Sequence, residues 1–155
     1  MITDRTAQEV ELGRTLRKKI QAGNTLSAAE IATLQRVSCT ASMLNRIENK
    51  QAELRELLDT EAYFSGIVNK TWGNSANNDR TDFRLTEYTR ILENCQKLKD
   101  AFTKYPSTPD TPTYLYGWQE ANAVEKILVD IEALISELKE NYRKCGTFQC
   151  GGDTL

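Results

Sequence analysis

All three prolines of this 155-residue chain fall at positions 106, 109 and 112. Proline has no backbone donor and biases the residue before it away from the helical region. No helix crosses this stretch, and the chain on either side is free to form long uninterrupted ones. Apolar residues on both sides recur at three- and four-residue spacings, the period of a helix with one buried face. Strand signals are nearly absent.

The helices can be placed from their ends. Thr6-Ala-Gln-Glu9 is a capping box, in which hydroxyl and carboxylate each satisfy a free backbone donor. It opens a helix whose Val10, Leu16 and Ile20 share a face, and Gly23-Asn24 stops it. Ser27-Ala-Ala-Glu30 is a second box, opening a short helix with Ile31 and Leu34. A third helix is expected from about Thr40 to Val68, with Leu44, Ile47, Leu54, Leu57, Leu58, Phe64 and Ile67 on its stripe. A fourth follows a cap at Asp79–Asp82 and runs to about Lys104, carrying Leu85, Tyr88, Ile91, Leu92, Cys95, Leu98 and Phe102. The fifth spans about Tyr116 to Lys144, with a stripe from Val124 to Tyr142.

The expected fold is all-α. Three long helices form an antiparallel bundle, flanked by a short N-terminal helical hairpin and ended by an irregular glycine-rich tail. In residue ranges, the hairpin takes 1–36, two core helices 37–105, an extended linker 106–115, the last long helix 116–144 and the tail 145–155. The linker would let the fifth helix lie across the others or swap into a neighbouring copy.

Composition narrows function by exclusion. Twenty Lys and Arg stand against 22 Asp and Glu, mixed along the chain, for a net charge of -2. Such a surface does not attract a polyanion, so nucleic acid is not an expected partner. No apolar run approaches the ~20 residues of a membrane span. The first residues lack the layout of a signal peptide, so synthesis inside the cell is expected. The chain has no histidine, which removes Ser-His-Asp and Cys-His pairs and imidazole metal ligands. Glu48 and Glu93 could meet in a core as a carboxylate pair, but solvated glutamates are the plainer expectation. No enzyme activity and no cofactor are expected.

Four cysteines, Cys39, Cys95, Cys145 and Cys150, do not repeat the close pairs of structural zinc sites. Cys95 falls on an apolar stripe and reads as a core residue. Cys39 is expected to be partly buried near a helix start. Cys145 and Cys150 are spaced to close a tail loop if oxidised, which a reducing cytosol opposes.

Two residue sets stand out. Each long helix places an apolar residue beside a glutamate with an amide or guanidinium within a turn: Leu44-Asn-Arg-Ile-Glu48, Arg90-Ile-Leu-Glu-Asn94 and Asn122-Ala-Val-Glu125. Asn45, Arg46, Glu48, Arg90, Glu93, Asn122 and Glu125 are therefore candidates for an inter-helix polar network, since residues three apart share adjacent helical rows. The aromatics Trp72, Tyr114, Tyr116, Trp118 and Phe148 lie in or beside loops and are candidate interface anchors, the alternative for the first four being that they cap the ends of the bundle core.

Ile2-Thr-Asp-Arg-Thr6 with Val10, Thr40-Ala-Ser-Met-Leu-Asn-Arg-Ile-Glu48, Trp72 and Asn122-Ala-Val-Glu-Lys-Ile-Leu128 resemble helical modules in tail-associated structural proteins of tailed bacteriophages that infect Firmicutes. The resemblance implies a virion protein of the tail tip, baseplate or fibre, made in the bacterial cytoplasm. Its implied partners are other copies of itself and other virion proteins, and it transfers no catalytic residue. The β-rich part of a receptor-binding fibre is not evident in the sequence, which favours a connector. The competing expectation is a small regulatory or assembly-chaperone binding protein.

Overall fold

The computed structural model describes residues 1–60, 66–73, 85–101, 104–115 and 117–145, and among these it contains five α-helices and no strand. They are α1 (Ala7–Gln21), α2 (Ala28–Val37), α3 (Ala41–Thr60), α4 (Leu85–Asp100) and α5 (Trp118–Cys145). No helix among the described residues is long and apolar enough to cross a membrane.

Both N-terminal capping boxes form. Thr6 Oγ1 accepts from Glu9 N at 3.2 Å while Glu9 Oε2 accepts from Thr6 N at 2.8 Å. Ser27 and Glu30 repeat the exchange at 3.3 and 2.8 Å. At the end of α1, Gly23 takes a φ of 79°, where an L side chain would be strained. Gly23 N then donates to Ile20 O and Asn24 N to Lys19 O, which closes the orphan carbonyls of the last turn. A second glycine acts by size: a Cβ on Gly13 would stand 2.5 Å from Val37 Cγ2. Its bare backbone lets α1 lie close on α2.

The helices α3, α4 and α5 pack pairwise on one another, and α1 packs on α2. Ile47, Leu54 and Leu58 from α3 meet Ile91, Cys95 and Leu98 from α4 and Val124, Ile127, Leu128 and Ile135 from α5 in one buried cluster. Each such side chain contributes roughly 1.5–3 kcal/mol on leaving water. Ile67, Trp72 and Leu115 join the cluster from outside the helices. The first two helices are much thinner: α1 buries only Gly13 and Leu16, and α2 buries no residue. Ile20, expected on the buried face of α1, is 48% exposed because the packing line runs through Leu16 and Gly13.

Three further expectations change. Helix α3 is described as far as Thr60, and residues 66–73 are not helical although Ile67 is buried, so the expected helix to Val68 does not extend through that stretch. The backbone of that stretch bonds to side chains of α3 and α4, described below, so it has no need of helical partners. Helix α4 ends at Asp100, short of Lys104. The proline stretch is not a free extended linker. It turns at Tyr105–Thr108, with Thr108 N donating to Tyr105 O at 3.0 Å. Thr108 Oγ1 reaches Asp130 Oδ2 at 2.8 Å and Lys99 Nζ reaches Pro109 O at 2.9 Å. The stretch is thus pinned to α4 and α5, and α5 packs on α3 and α4 of its own chain. The exchange of α5 between copies is withdrawn. The expected cap at Asp79–Asp82, Phe64, Phe102 and the tail beyond Cys145 lie outside the described residues.

Candidate functional site: two buried glutamates and three asparagine clamps

The densest chemistry lies where the non-helical segments meet the three long helices. One asparagine on each of those helices grips the backbone of a single residue by both its N–H and its carbonyl. Asn45 on α3 accepts from Trp72 N at 2.6 Å and donates to Trp72 O at 2.9 Å. Asn94 on α4 does the same to Val68, at 3.2 and 2.7 Å. Asn122 on α5 does it to Arg5, at 3.3 and 3.0 Å. A primary amide matches the donor–acceptor spacing of an extended peptide, so each clamp satisfies two backbone groups at one point of a helix.

Beside two of the clamps sits a buried glutamate. Glu125 on α5 has a fully buried side chain, and its Oε1 accepts from Arg5 Nη2 at 2.6 Å and Arg46 Nη2 at 2.8 Å. Its Oε2 accepts from the backbone N–H of Ile2. Arg5 is saturated in turn: Nε donates to Arg36 O at 2.9 Å and Nη1 to Ile2 O at 2.7 Å and Asn122 Oδ1 at 3.0 Å. Arg36 then holds Asp4 at 2.7 Å and Glu9 at 2.9 Å. This first lock joins the N-terminal segment and α2 to α3 and α5.

Glu48 on α3, 1% exposed, forms the second lock. It accepts from Trp72 Nε1 at 3.1 Å, Lys70 N at 2.9 Å and Arg90 Nη1 at 2.9 Å, and its other oxygen also pairs with Arg90 Nη2. Lys70 Nζ lies 4.7 Å from the Trp72 ring centroid, within cation–π range. Gln51, fully buried, donates to Ile91 O at 2.9 Å and accepts from Asn94 at 3.4 Å. This lock fixes the 66–73 segment against α3 and α4.

Of the network candidates, Asn45, Arg46, Glu48, Arg90, Asn122 and Glu125 enter one lock or the other. Glu93 is exposed on α4, so it neither joins them nor pairs with Glu48. Sequence reading missed Arg5, Gln51, Lys70, the clamping role of Asn94, and Asn69, whose amide donates to Glu48 O at 2.8 Å. Arg5 sits in a short segment before a helix, where nothing in the local pattern marks a buried guanidinium. Of the interface candidates, Trp72 is 3% exposed with its indole N–H on Glu48, so its ring faces the core and is corrected to a core residue. Tyr114 is 57% exposed and Trp118 half-buried. Tyr116 and Phe148 lie outside the described residues.

Cys39 is exposed, against the expectation of partial burial, because it sits between α2 and α3 rather than on a packed face. Cys95 is buried and desolvation pushes its thiol up to about 12. A neutral buried thiol is a poor nucleophile. Cys95 is therefore expected to stay unmodified by a thiol reagent in the native protein and to react once denatured, as peptide mapping would show; fast native labelling at Cys95 would contradict the packing. Among the described residues no group of three or more His, Cys, Asp or Glu is placed to hold a metal ion.

The carboxylates around the first two helices predict a pH response. The Lys19 ammonium and the Ser27 groups hold Glu30 down at about 2. Glu9 is lowered chiefly by the Thr6 backbone N–H, and Asp4 by Arg36. Burial alone would raise Glu125, but Arg46, Arg5 and the Ile2 N–H outweigh it and hold it below the ordinary value. Groups with a depressed folded pKa stabilise the protein above their unfolded value, here 4.5 for the glutamates, and lose that contribution as pH falls through the folded one. The thermal midpoint is expected to decline from about pH 5 to about pH 2. A midpoint constant over that range would contradict these pairings.

No protein-family model matches the chain, and no solved structure matches it significantly. It is 33% identical over 126 residues to a dihydroorotate dehydrogenase (quinone) of Rhodopseudomonas palustris (strain TIE-1). The aligned stretch covers 79% of this chain and 32% of that protein, so the chain spans about a third of the length of the curated relative it matches.

Proposed function

We propose that the chain is a structural module of a tailed-bacteriophage virion, a connector in the tail, baseplate or fibre that docks on copies of itself and on other virion proteins. The architecture we infer for it is an antiparallel bundle of α3, α4 and α5 with the α1–α2 hairpin latched to its side. The observation that supports this reading is a coincidence of residues. The segments that resemble phage tail modules supply Arg5, Asn45, Arg46, Glu48, Trp72, Asn122 and Glu125, all of which take part in the locks. The signature of such a module is then its architecture. Glu48 and Glu125 are each held by several donors within the chain, which suits a rigid part that works through its surface.

The test is the native mass of the purified chain, by light scattering or native mass spectrometry across a range of concentrations. A discrete closed oligomer, such as a trimer or hexamer, is expected. A monomer or dimer that captures one defined host protein would favour the alternative, a regulatory or assembly-chaperone binder.

The likeness to a quinone-linked dihydroorotate dehydrogenase favours a second reading, a helical segment that accompanies an oxidoreductase. That reading predicts co-purification of the chain with dihydroorotate-oxidising activity from its native source. The docking reading predicts none.

A further inference from the structure

Between α1, α2 and the start of α5 lies a cavity of about 300 Å³. Val37, Met43, Leu115, Trp118 and Ala121 give it apolar walls. Three arginines also line it, and among its described lining residues there is no carboxylate. Arg5 lies buried and spent on the first lock, whereas Arg14 and Arg17 are exposed. Arg17 bonds only the neutral Ser38 hydroxyl in the interactions described, at 2.9 Å, so its charge is not offset there. Arg14 meets Glu11 at 3.0 Å, and both side chains of that pair are about two-thirds exposed. The volume matches one large side chain, at the low end of the ~300–1,000 Å³ of binding pockets.

We propose that this cavity receives a single aromatic or branched aliphatic side chain from an acidic segment of a neighbouring protein. The anchor lies against Trp118 and Leu115, and a carboxylate beside it pairs with Arg17 and Arg14. Aromatic anchors in small desolvated pockets, ringed by charge that selects the partner, are the usual source of docking energy. The inference rests on the docking reading and names the chemistry of one docked partner.

The test uses the full chain and three acetylated, amidated peptides: Asp-Glu-Phe-Glu-Asp, the same with alanine for phenylalanine, and Lys-Lys-Phe-Lys-Lys. The readout is the indole N–H resonance of Trp118, assigned by its loss in Trp118→Phe. The acidic phenylalanine peptide is expected to shift it saturably, with a Kd below about 1 mM, and the other two are not. Ala121→Leu fills the cavity and is expected to abolish the shift. Should that variant fail to fold, Arg14→Glu with Arg17→Glu changes only exposed positions and is expected to weaken binding at least about tenfold. No saturable shift, equal binding of the basic or alanine peptide, or unchanged affinity after charge reversal would each overturn the proposal. A discrete oligomer without peptide binding removes the cavity's role and leaves the docking reading standing. Peptide binding by a chain found in no assembly removes the docking reading instead.

Discussion

Glu125→Gln is expected to lower the thermal midpoint by roughly 6–20 °C, at ~2–4 °C per kcal/mol for a chain of this size. The change keeps the shape of the side chain and removes its charge. Arg5, whose side chain is 2% exposed, then keeps a buried guanidinium without its counter-charge, and Arg46 loses the same partner. Breaking a buried ion pair from one side costs about 3–5 kcal/mol. An amide also brings two donors into a site built from donors, so one of its hydrogens faces Arg5, Arg46 or the Ile2 N–H. Because α2 buries no residue and α1 only two, the first helices have little else to hold them. Hydrogen exchange should accelerate over residues 7–37 before it does in α3–α5. Glu132→Gln is the control. That carboxylate is 42% exposed and bridges to Lys50 at 2.6 Å, and losing such a surface pair costs only ~0–1 kcal/mol. Equal effects of the two changes would contradict the first lock.

Glu48→Gln should produce a loss of about 3 kcal/mol or more, with a different local signature. Glu48 gathers donors from an indole, a backbone amide and a guanidinium. Hydrogen bonds to a charged group contribute about 1.5–3 kcal/mol each, and a neutral amide cannot accept from all of these donors at once. The segment 66–73 should loosen, carrying Trp72 out of the core. In a Trp118→Phe background the remaining emission reports Trp72, and a red shift in the native baseline is expected. Glu93→Gln, at an exposed position of α4, should stay within about 0.5 kcal/mol of the parent. An unshifted Trp72 emission in Glu48→Gln would contradict the second lock.

The helices were legible because their signals are local. Capping boxes at Thr6 and Ser27, the stop at Gly23 and the apolar stripes need only neighbours within a turn or two. Segment boundaries that depend on distant partners were not legible. The 66–73 stretch is not helical, and Asn45, Glu48 and Asn94 bond its backbone. Those bonds join residues more than twenty positions apart, and no local pattern encodes them. The same limit explains Trp72. A tryptophan beside a loop reads either as an interface anchor or as a cap on the bundle core, and Glu48 receiving its indole N–H decides for the core. Pairing glutamates with amides and guanidinia on the long helices did mark the lock residues. It misplaced Glu93, because the apolar-beside-glutamate pattern on α4 puts Asn94 and Arg90, rather than the glutamate, toward the core.

On the docking function we propose, this charge chemistry serves architecture and the chain docks in a virion. Quantitative mass spectrometry of particles purified from the strain that encodes the chain tests it most directly. The chain is expected in tail-bearing particles at a fixed copy number per particle, as a closed symmetric assembly implies. Its absence from the particles, with the chain recovered only in the soluble fraction, would contradict the account.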